Sequence, residues 1–93
     1  MQVPIARRTL AAGSTVVVAK IMRPEEDEGD YRCGYVLEAG QDKKLGYAIG
    51  IDGVQALQLA MAKINADLLA MSEALGAPIT WLDSAPGDSG FVA

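Results

Sequence analysis

The 93-residue chain contains no histidine, and this absence excludes several kinds of catalytic site. Without an imidazole there is no serine–histidine or cysteine–histidine nucleophile pair, no histidine general acid or base, and no histidine metal ligand. Catalysis by carboxylate, lysine or tyrosine side chains stays open, but no spacing of these residues points to it. We therefore expect a protein that is not an enzyme and that needs no cofactor or metal.

Cysteine is almost as scarce, because Cys33 is the only one in the chain. A single cysteine cannot form an internal disulfide, and without an activating base Cys33 is expected to be a small buried apolar residue. No apolar run approaches the ~20 residues of a membrane-spanning helix. The first ten residues also lack the apolar core and cleavage site of a signal peptide. These features favour a cytoplasmic protein without a membrane partner.

Basic residues are outnumbered, with 8 Lys and Arg against 12 Asp and Glu, which gives a net charge of −4. A nucleic-acid-binding domain normally carries a basic surface, so nucleic acid is not an expected partner. Apolar residues are abundant instead, at 51% of the chain. For a chain of one-domain length, this excess favours self-association as a homodimer or binding to a protein partner.

The dominant feature is a long amphipathic helix predicted between Asp52 and Gly76. Its apolar residues recur at alternating steps of three and four, which places them in one stripe. The stripe comprises Val54, Leu57, Met61, Ile64, Leu68, Met71 and Leu75. Asp52 is a favourable N-cap with Gln55 in the capping-box position, and Gly76 followed by Pro78 predicts the end of the helix.

The side of this helix opposite the stripe is less polar than a solvated surface usually is. It carries Leu59, Ala62, Ala66 and Leu69. Single exposed apolar residues are ordinary on protein surfaces, so these four residues are one possible set of tolerated surface positions. Alternatively, they form an interface with another subunit or with a partner protein.

Four strands are predicted before the helix, over residues 4–10, 15–23, 31–38 and 45–51. The second strand is β-branched and apolar on both faces, which indicates a central strand covered on two sides. In the third strand, Tyr31, Cys33, Tyr35 and Leu37 share one face. In the fourth strand, Leu45, Tyr47, Ile49 and Ile51 alternate with Gly46, Ala48 and Gly50. We expect the large set to face the core and the small set to permit close approach of another element.

Two further segments invite functional readings. The acidic stretch from Glu25 to Asp30 could attract Ca²⁺, but it lacks the ligand spacing of an EF-hand, and a solvated hairpin loop explains it as well. The sequence leaves cation binding there open. Gly87 to Gly90 matches the nucleophile motif of chymotrypsin-type proteases, yet a short chain without histidine lacks the context of that motif. Turn chemistry is the better explanation.

These elements predict one α+β domain over residues 1–93. Four strands form an antiparallel meander, and the long helix packs on one face in the order ββββα. The apolar run from Ile79 to Leu82 then forms a short C-terminal strand or extended segment, with Trp81 as a lid. Residues 83–93 have the composition of a polar, mobile tail.

Three pieces of the chain resemble a family of small bacterial single-domain proteins of unknown function. They are Ile5 to Leu10, the helix start GIDGVQALQLA from Gly50 to Ala60, and the C-terminal GDSGF from Gly87 to Phe91. The resemblance spans nearly the whole chain. It implies a bacterial single-domain protein but carries no activity and no catalytic residues.

Two functions follow from the residues themselves. The first is a non-catalytic interaction module that self-associates or binds a protein partner. The second is a small-ligand-binding domain with a pocket between helix and sheet. The walls of that pocket would be aromatic, and the candidates are Tyr31, Tyr35, Tyr47 and Trp81.

Overall fold

The computed structural model describes residues 3–91 and contains a five-stranded antiparallel sheet with one long helix packed against it. The strands are β1 (Pro4–Ala12), β2 (Thr15–Met22), β3 (Glu25–Asp27), β4 (Asp30–Ala39) and β5 (Asp42–Gly50), followed by helix α1 (Gly53–Leu75). The predicted α+β class is confirmed, with one strand more than the expected ββββα order.

The extra strand β3 continues the line of β2. Both strands pair with the same edge of β4, β2 opposite residues 35–39 and β3 opposite residues 30–32. Pro24 lies between them, and because proline has no N–H to donate, it interrupts the ladder. The sheet is therefore the predicted meander of β1, β2 with β3, β4 and β5. The acidic stretch forms a tight hairpin between β3 and β4, and its turn residues, Glu28 and Gly29, both have positive φ.

Strand register decides which side chains face the helix. Ala19 pairs with Leu37 and Ile21 pairs with Tyr35, and directly opposed residues share a face. As predicted, Cys33, Tyr35 and Leu37 lie together on the core face. Cys33 is fully buried there, and burial raises the pKa of its thiol. This environment matches the small buried apolar role that the sequence predicts.

The prediction for β5 is wrong about its faces. Leu45, Tyr47 and Ile49 point away from the helix and are 71%, 44% and 41% exposed. The small set of Gly46, Ala48 and Gly50 faces the helix instead. The reason is close packing: a Cβ on Gly50 would overlap the backbone of Ala56, and a Cβ on Gly46 would overlap the ring of Tyr35. The small residues do allow close approach, as expected, but on the core side.

Strand β2 is central in the sheet but is not covered on both sides. Val17, Ala19 and Ile21 are buried beneath the helix layer, whereas Val16 is 58% exposed on the other side. Helix α1 packs on β4 and β5 from one side only. The prediction of a strand covered on both sides therefore fails at Val16, whereas Val18 is half-buried and Met22 is buried.

Helix α1 begins and ends where its sequence indicates. The Asp52 side chain accepts a hydrogen bond of 2.8 Å from the Gln55 amide, and Gly76 adopts φ 70° at the C-terminus. The Gln55 side chain reaches one residue beyond the cap and accepts from the Ile51 amide. The fully buried helix positions are Ala56, Ala60, Ile64 and Leu68. Val54 is 66% exposed, so the buried face starts at the alanines rather than at Val54.

The segment after α1 returns along the free edge of β1. Thr80 and Ala11 exchange two backbone hydrogen bonds of 2.9 and 3.0 Å, which form a single β-bridge. Residues as far as Phe91 then pack against the body, and Ser89 is buried. The predicted C-terminal extended segment is thus present, and the part of the predicted tail after Phe91 lies outside the described residues. Within residues 3–91, no helix combines the length and hydropathy needed to cross a membrane.

Candidate functional site

The side of the sheet that faces away from α1 exposes a row of large apolar side chains. We call this surface the open face, and its apolar members are Val16, Val18, Val36, Leu45, Tyr47 and Ile49. They form two groups, Val16 and Val18 on β2 and the other four on β4 and β5, because Val18 lies opposite Glu38 and Val36 lies opposite Lys20. Both α1 and the C-terminal segment pack on the opposite side, which leaves the open face in contact with solvent.

Charged side chains lie on the same face as the two apolar groups. Lys20 and Lys43 both pair with Glu38, at 2.9 and 3.5 Å. The hydrogen bond from Lys20 lowers the pKa of the Glu38 carboxyl below its usual range. The Arg32 guanidinium lies 3.8 Å from the centre of the Tyr47 ring, which is a cation–π contact. The Lys20–Glu38–Lys43 ion pairs therefore cross the open face between its two apolar groups.

Strands β4 and β5 carry the same dipeptide, Gly-Tyr, at positions 34–35 and 46–47. Gly34 lies directly opposite Tyr47, and Tyr35 lies directly opposite Gly46. The first pair is on the open face and the second is on the core face. In each pair an aromatic ring has a glycine opposite it, which leaves room for the ring to lie flat across the partner strand.

A polar contact connects the sheet to the helix at Tyr35. Its hydroxyl donates to the Asp67 carboxylate, which also accepts from Lys44 at 3.2 Å. Burial, and then the hydrogen bond and charge of Asp67, raise the pKa of Tyr35 well above its ordinary value of 10. The phenol therefore stays protonated at neutral pH and acts as a donor that joins β4 to α1.

The four aromatic residues expected to line one pocket are not brought together. Tyr35 is buried in the core, while Tyr47 lies on the opposite face of the sheet. Tyr31 packs at the margin of the core, and Trp81 packs on Arg8 of β1. The sequence cannot separate these positions, because the direction of each side chain depends on which face of β5 meets the helix.

The helix residues proposed as an interface are outward-facing. Leu59 and Leu69 are 45% and 53% exposed, Ala66 is exposed, and Ala62 is half-buried. The two leucines are separated by ten residues, or roughly 15 Å along the helix. The role of this surface as an interface stays a prediction.

A concave site, which the sequence did not predict, lies between β1, α1 and the C-terminal segment. It is a cavity of about 220 Å³ lined by apolar side chains, including Ile21, Met61 and Phe91, together with Arg8. The Arg8 guanidinium is 3.9 Å from the centre of the Trp81 ring and 4.8 Å from that of Phe91. The signal that could have revealed it is an arginine at a core-facing position of β1.

The Gly87 to Gly90 segment holds this site together and has the geometry of a structural turn. The buried Ser89 hydroxyl donates to Asn65 at 2.9 Å and accepts from the Phe91 amide. Its carbonyl accepts from Arg8 at 3.1 Å. Gly90 has φ 76°, and a Cβ there would overlap the Trp81 ring. The serine thus positions Phe91 and Arg8.

The acidic hairpin between β3 and β4 does not gather its carboxylates into a compact site. Glu25, Glu26 and Asp27 are all exposed along a strand, where successive side chains point to opposite faces. In the chain from residue 3 to residue 91, no three acidic or thiol groups are placed to hold a metal ion.

The fold and its surfaces define a class: a small α+β domain in which one helix covers one face of a meander sheet and the other face is open. A family model for a domain of unknown function, DUF6968, matches residues 6–93 of the chain. The protein therefore belongs to this family, which confirms the resemblance to a family without an assigned function. Comparisons with curated proteins and with solved structures gave no match.

Proposed function

We propose that this domain is a non-catalytic interaction module that self-associates through the open face of its sheet. The observation that supports the proposal is the exposure of large apolar side chains there, led by Leu45 at 71% and Val16 at 58%. Isolated exposed residues need no explanation, but two groups of large apolar side chains on one uncovered face of a sheet are typical of a surface that another layer covers.

The size of the open face suits a second copy of the chain. Four strands spaced at ~4.8 Å, each contributing about seven residues at ~3.3 Å, give a projected face on the order of 450 Å². Two such faces pressed together bury on the order of 1,000 Å², which is the lower range of specific interfaces. Sheets that pack face to face lie about 10 Å apart with interdigitating side chains, and the valines and leucine here suit that arrangement.

Sedimentation velocity on matched variants tests the proposal. We expect the parent protein to be dimeric at micromolar concentration and Leu45→Glu to raise the dimer dissociation constant at least about a hundredfold. The reason is that burying an added carboxylate in an interface costs several kcal/mol. Leu59→Glu places the same charge on the outer side of α1 and should leave the dimer intact.

The outcomes separate the candidate partners. If Leu59→Glu abolishes the dimer and Leu45→Glu does not, the interface lies on the outer side of α1 and not on the open face. If the parent protein sediments as a monomer at all concentrations, self-association is overturned. The open face would then be expected to bind a different protein.

The rest of the proposal follows from composition. The absence of histidine supports a role without catalysis, and the net charge of −4 supports partners other than nucleic acid or an anionic membrane. The single reduced cysteine is consistent with a cytoplasmic location. Small-ligand binding is a second candidate function, and it is supported by the cavity beside Arg8 rather than by the four aromatic residues.

A further inference from the structure

The cavity between β1, α1 and the C-terminal segment is large enough for a small organic molecule. Its volume is about 220 Å³, and its apolar walls include Ala6, Ala19, Ile21 and Met61. For comparison, an apolar cavity of ~150 Å³ in another protein binds benzene. The space is therefore suited to a compact apolar group of comparable or slightly greater size.

The charged groups at this cavity are of one sign. Arg8, which lies opposite the buried Ala19, is on the same side of the sheet as the cavity, and the lining includes no Asp or Glu. The ion pairs in the described part of the chain are Lys20–Glu38, Lys43–Glu38 and Lys44–Asp67. No carboxylate among residues 3–91 therefore pairs with Arg8. In a protein with more acidic than basic residues, this arrangement favours an anion from outside.

Arg8 is held in a fixed orientation. Its guanidinium lies between the Trp81 and Phe91 rings and donates to the Ser89 carbonyl. A guanidinium has five N–H donors in one plane, so this contact leaves others for a ligand. Because the plane is fixed in advance, little side-chain entropy is lost when a carboxylate binds to it.

We propose that this cavity binds a small aliphatic carboxylate, with its carboxyl group on Arg8 and its hydrocarbon chain between the sheet and Met61. A planar carboxylate fits the donor geometry of arginine, and the apolar walls favour a hydrocarbon over a sugar or a nucleotide. The site is separate from the open face, so this inference does not depend on the proposed self-association.

Titration with hexanoate, followed by two-dimensional NMR of the labelled protein, tests the site. We expect saturable shifts at Ala6, Ala19, Ile21 and Met61. Hexanol and hexylammonium, compared at equal ionic strength, should bind at least about tenfold more weakly, because each lacks the charge-assisted hydrogen bonds to Arg8. Equal affinity for hexanol would overturn the role of Arg8, and shifts confined to the open face would overturn the site.

Variants give an independent test. Arg8→Gln should weaken hexanoate binding about tenfold or more, whereas Arg23→Gln removes a positive charge elsewhere and should leave affinity unchanged. If Arg8→Gln unfolds, Ala6→Leu keeps the arginine and narrows the mouth of the cavity, where Ala6 is exposed, and it should weaken binding at least about tenfold. Unchanged affinity in Ala6→Leu would overturn the proposal.

The Leu45→Glu variant separates the two proposals. It should still bind hexanoate with parental affinity even when it is monomeric. If hexanoate binding is lost with Leu45→Glu but kept with Ala6→Leu, the ligand occupies the open face and the cavity proposal fails.

Discussion

At the scale of single residues, the polar contact between Tyr35 and Asp67 connects the sheet to the helix. Tyr35 was expected in a pocket wall, yet its ring is in the core and its hydroxyl reaches α1. The raised pKa of this phenol means that the folded state favours the protonated form. That preference links the stability of the protein to pH in the alkaline range.

Tyr35→Phe tests this link. Because the folded-state pKa of Tyr35 is raised, its contribution to stability is complete below the ordinary pKa of 10 and is lost as pH rises above it. At neutral pH the variant should lose about 1–2 kcal/mol of unfolding free energy, since a buried hydrogen bond to a charged group is removed. Urea unfolding of both proteins between pH 7 and pH 11 measures the effect.

The difference in unfolding free energy between parent and Tyr35→Phe should narrow above about pH 10, as the phenol ionises in the unfolded chain. All other ionisable groups are present in both proteins and cancel in the comparison. A difference that stays constant to pH 11 would mean that the phenol is not held by Asp67.

At the scale of elements, α1 was predictable and the face of β5 was not. The cap at Asp52, the glycine at 76 and the apolar stripe are local signals, and the helix has the predicted ends. The face of β5 that meets the helix depends on packing between elements. Large residues usually face a core, but here a Cβ on Gly50 would overlap the helix backbone at Ala56, and the Tyr35 ring fills the space beside Gly46.

The same reasoning explains what could be foreseen of the candidate sites. High apolar content indicated a surface for association, but the sequence placed it on the outer side of α1. In the observed orientation of β5, its large residues lie on the open face with those of β2 and β4 and not in the core. For the cavity, the core-facing Arg8 is the only signal in the sequence, because the segment that meets Arg8, around Ser89, lies 81 residues further along the chain.

Gly50→Ala tests the close packing of the helix on β5. The added methyl group would overlap the backbone of Ala56, which cannot rotate away, so we expect a loss of about 2–3 kcal/mol. Gly53→Ala is the matched control: its methyl group would lie 3.7 Å from Pro24, an ordinary contact, and its effect should be within about 0.5 kcal/mol. If Gly50→Ala has the same Tm as the parent protein, the first turn of the helix must lie further from β5 than this close contact implies.

At the scale of the whole molecule, residues 3–91 leave one side of the sheet without a covering layer. A two-layer domain of 93 residues buries a modest core, and part of its 51% hydrophobic content is left on the surface. If a second copy covers the open face, folding and association become coupled, and the stability of the protein depends on its concentration.

Concentration-dependent melting tests this coupling. Over about a hundredfold range of protein concentration, the Tm of the parent should rise by several degrees, because mass action favours the folded dimer. The Tm of Leu45→Glu should stay constant over the same range and match the lower limit of the parent. A parental Tm that does not change with concentration would argue against association of the folded chain.

The reciprocal Gly-Tyr pairs between β4 and β5 have a consequence for strand alignment. Sliding one strand by a single position would set Tyr35 against Tyr47, or Gly34 against Gly46, and would turn every side chain of β5 to the other side. Both pairs would break together. One strand alignment therefore specifies both surfaces of the sheet, the one that contacts the helix and the one that we propose contacts a second copy. This alignment is set within a hairpin of 21 residues, from Asp30 to Gly50.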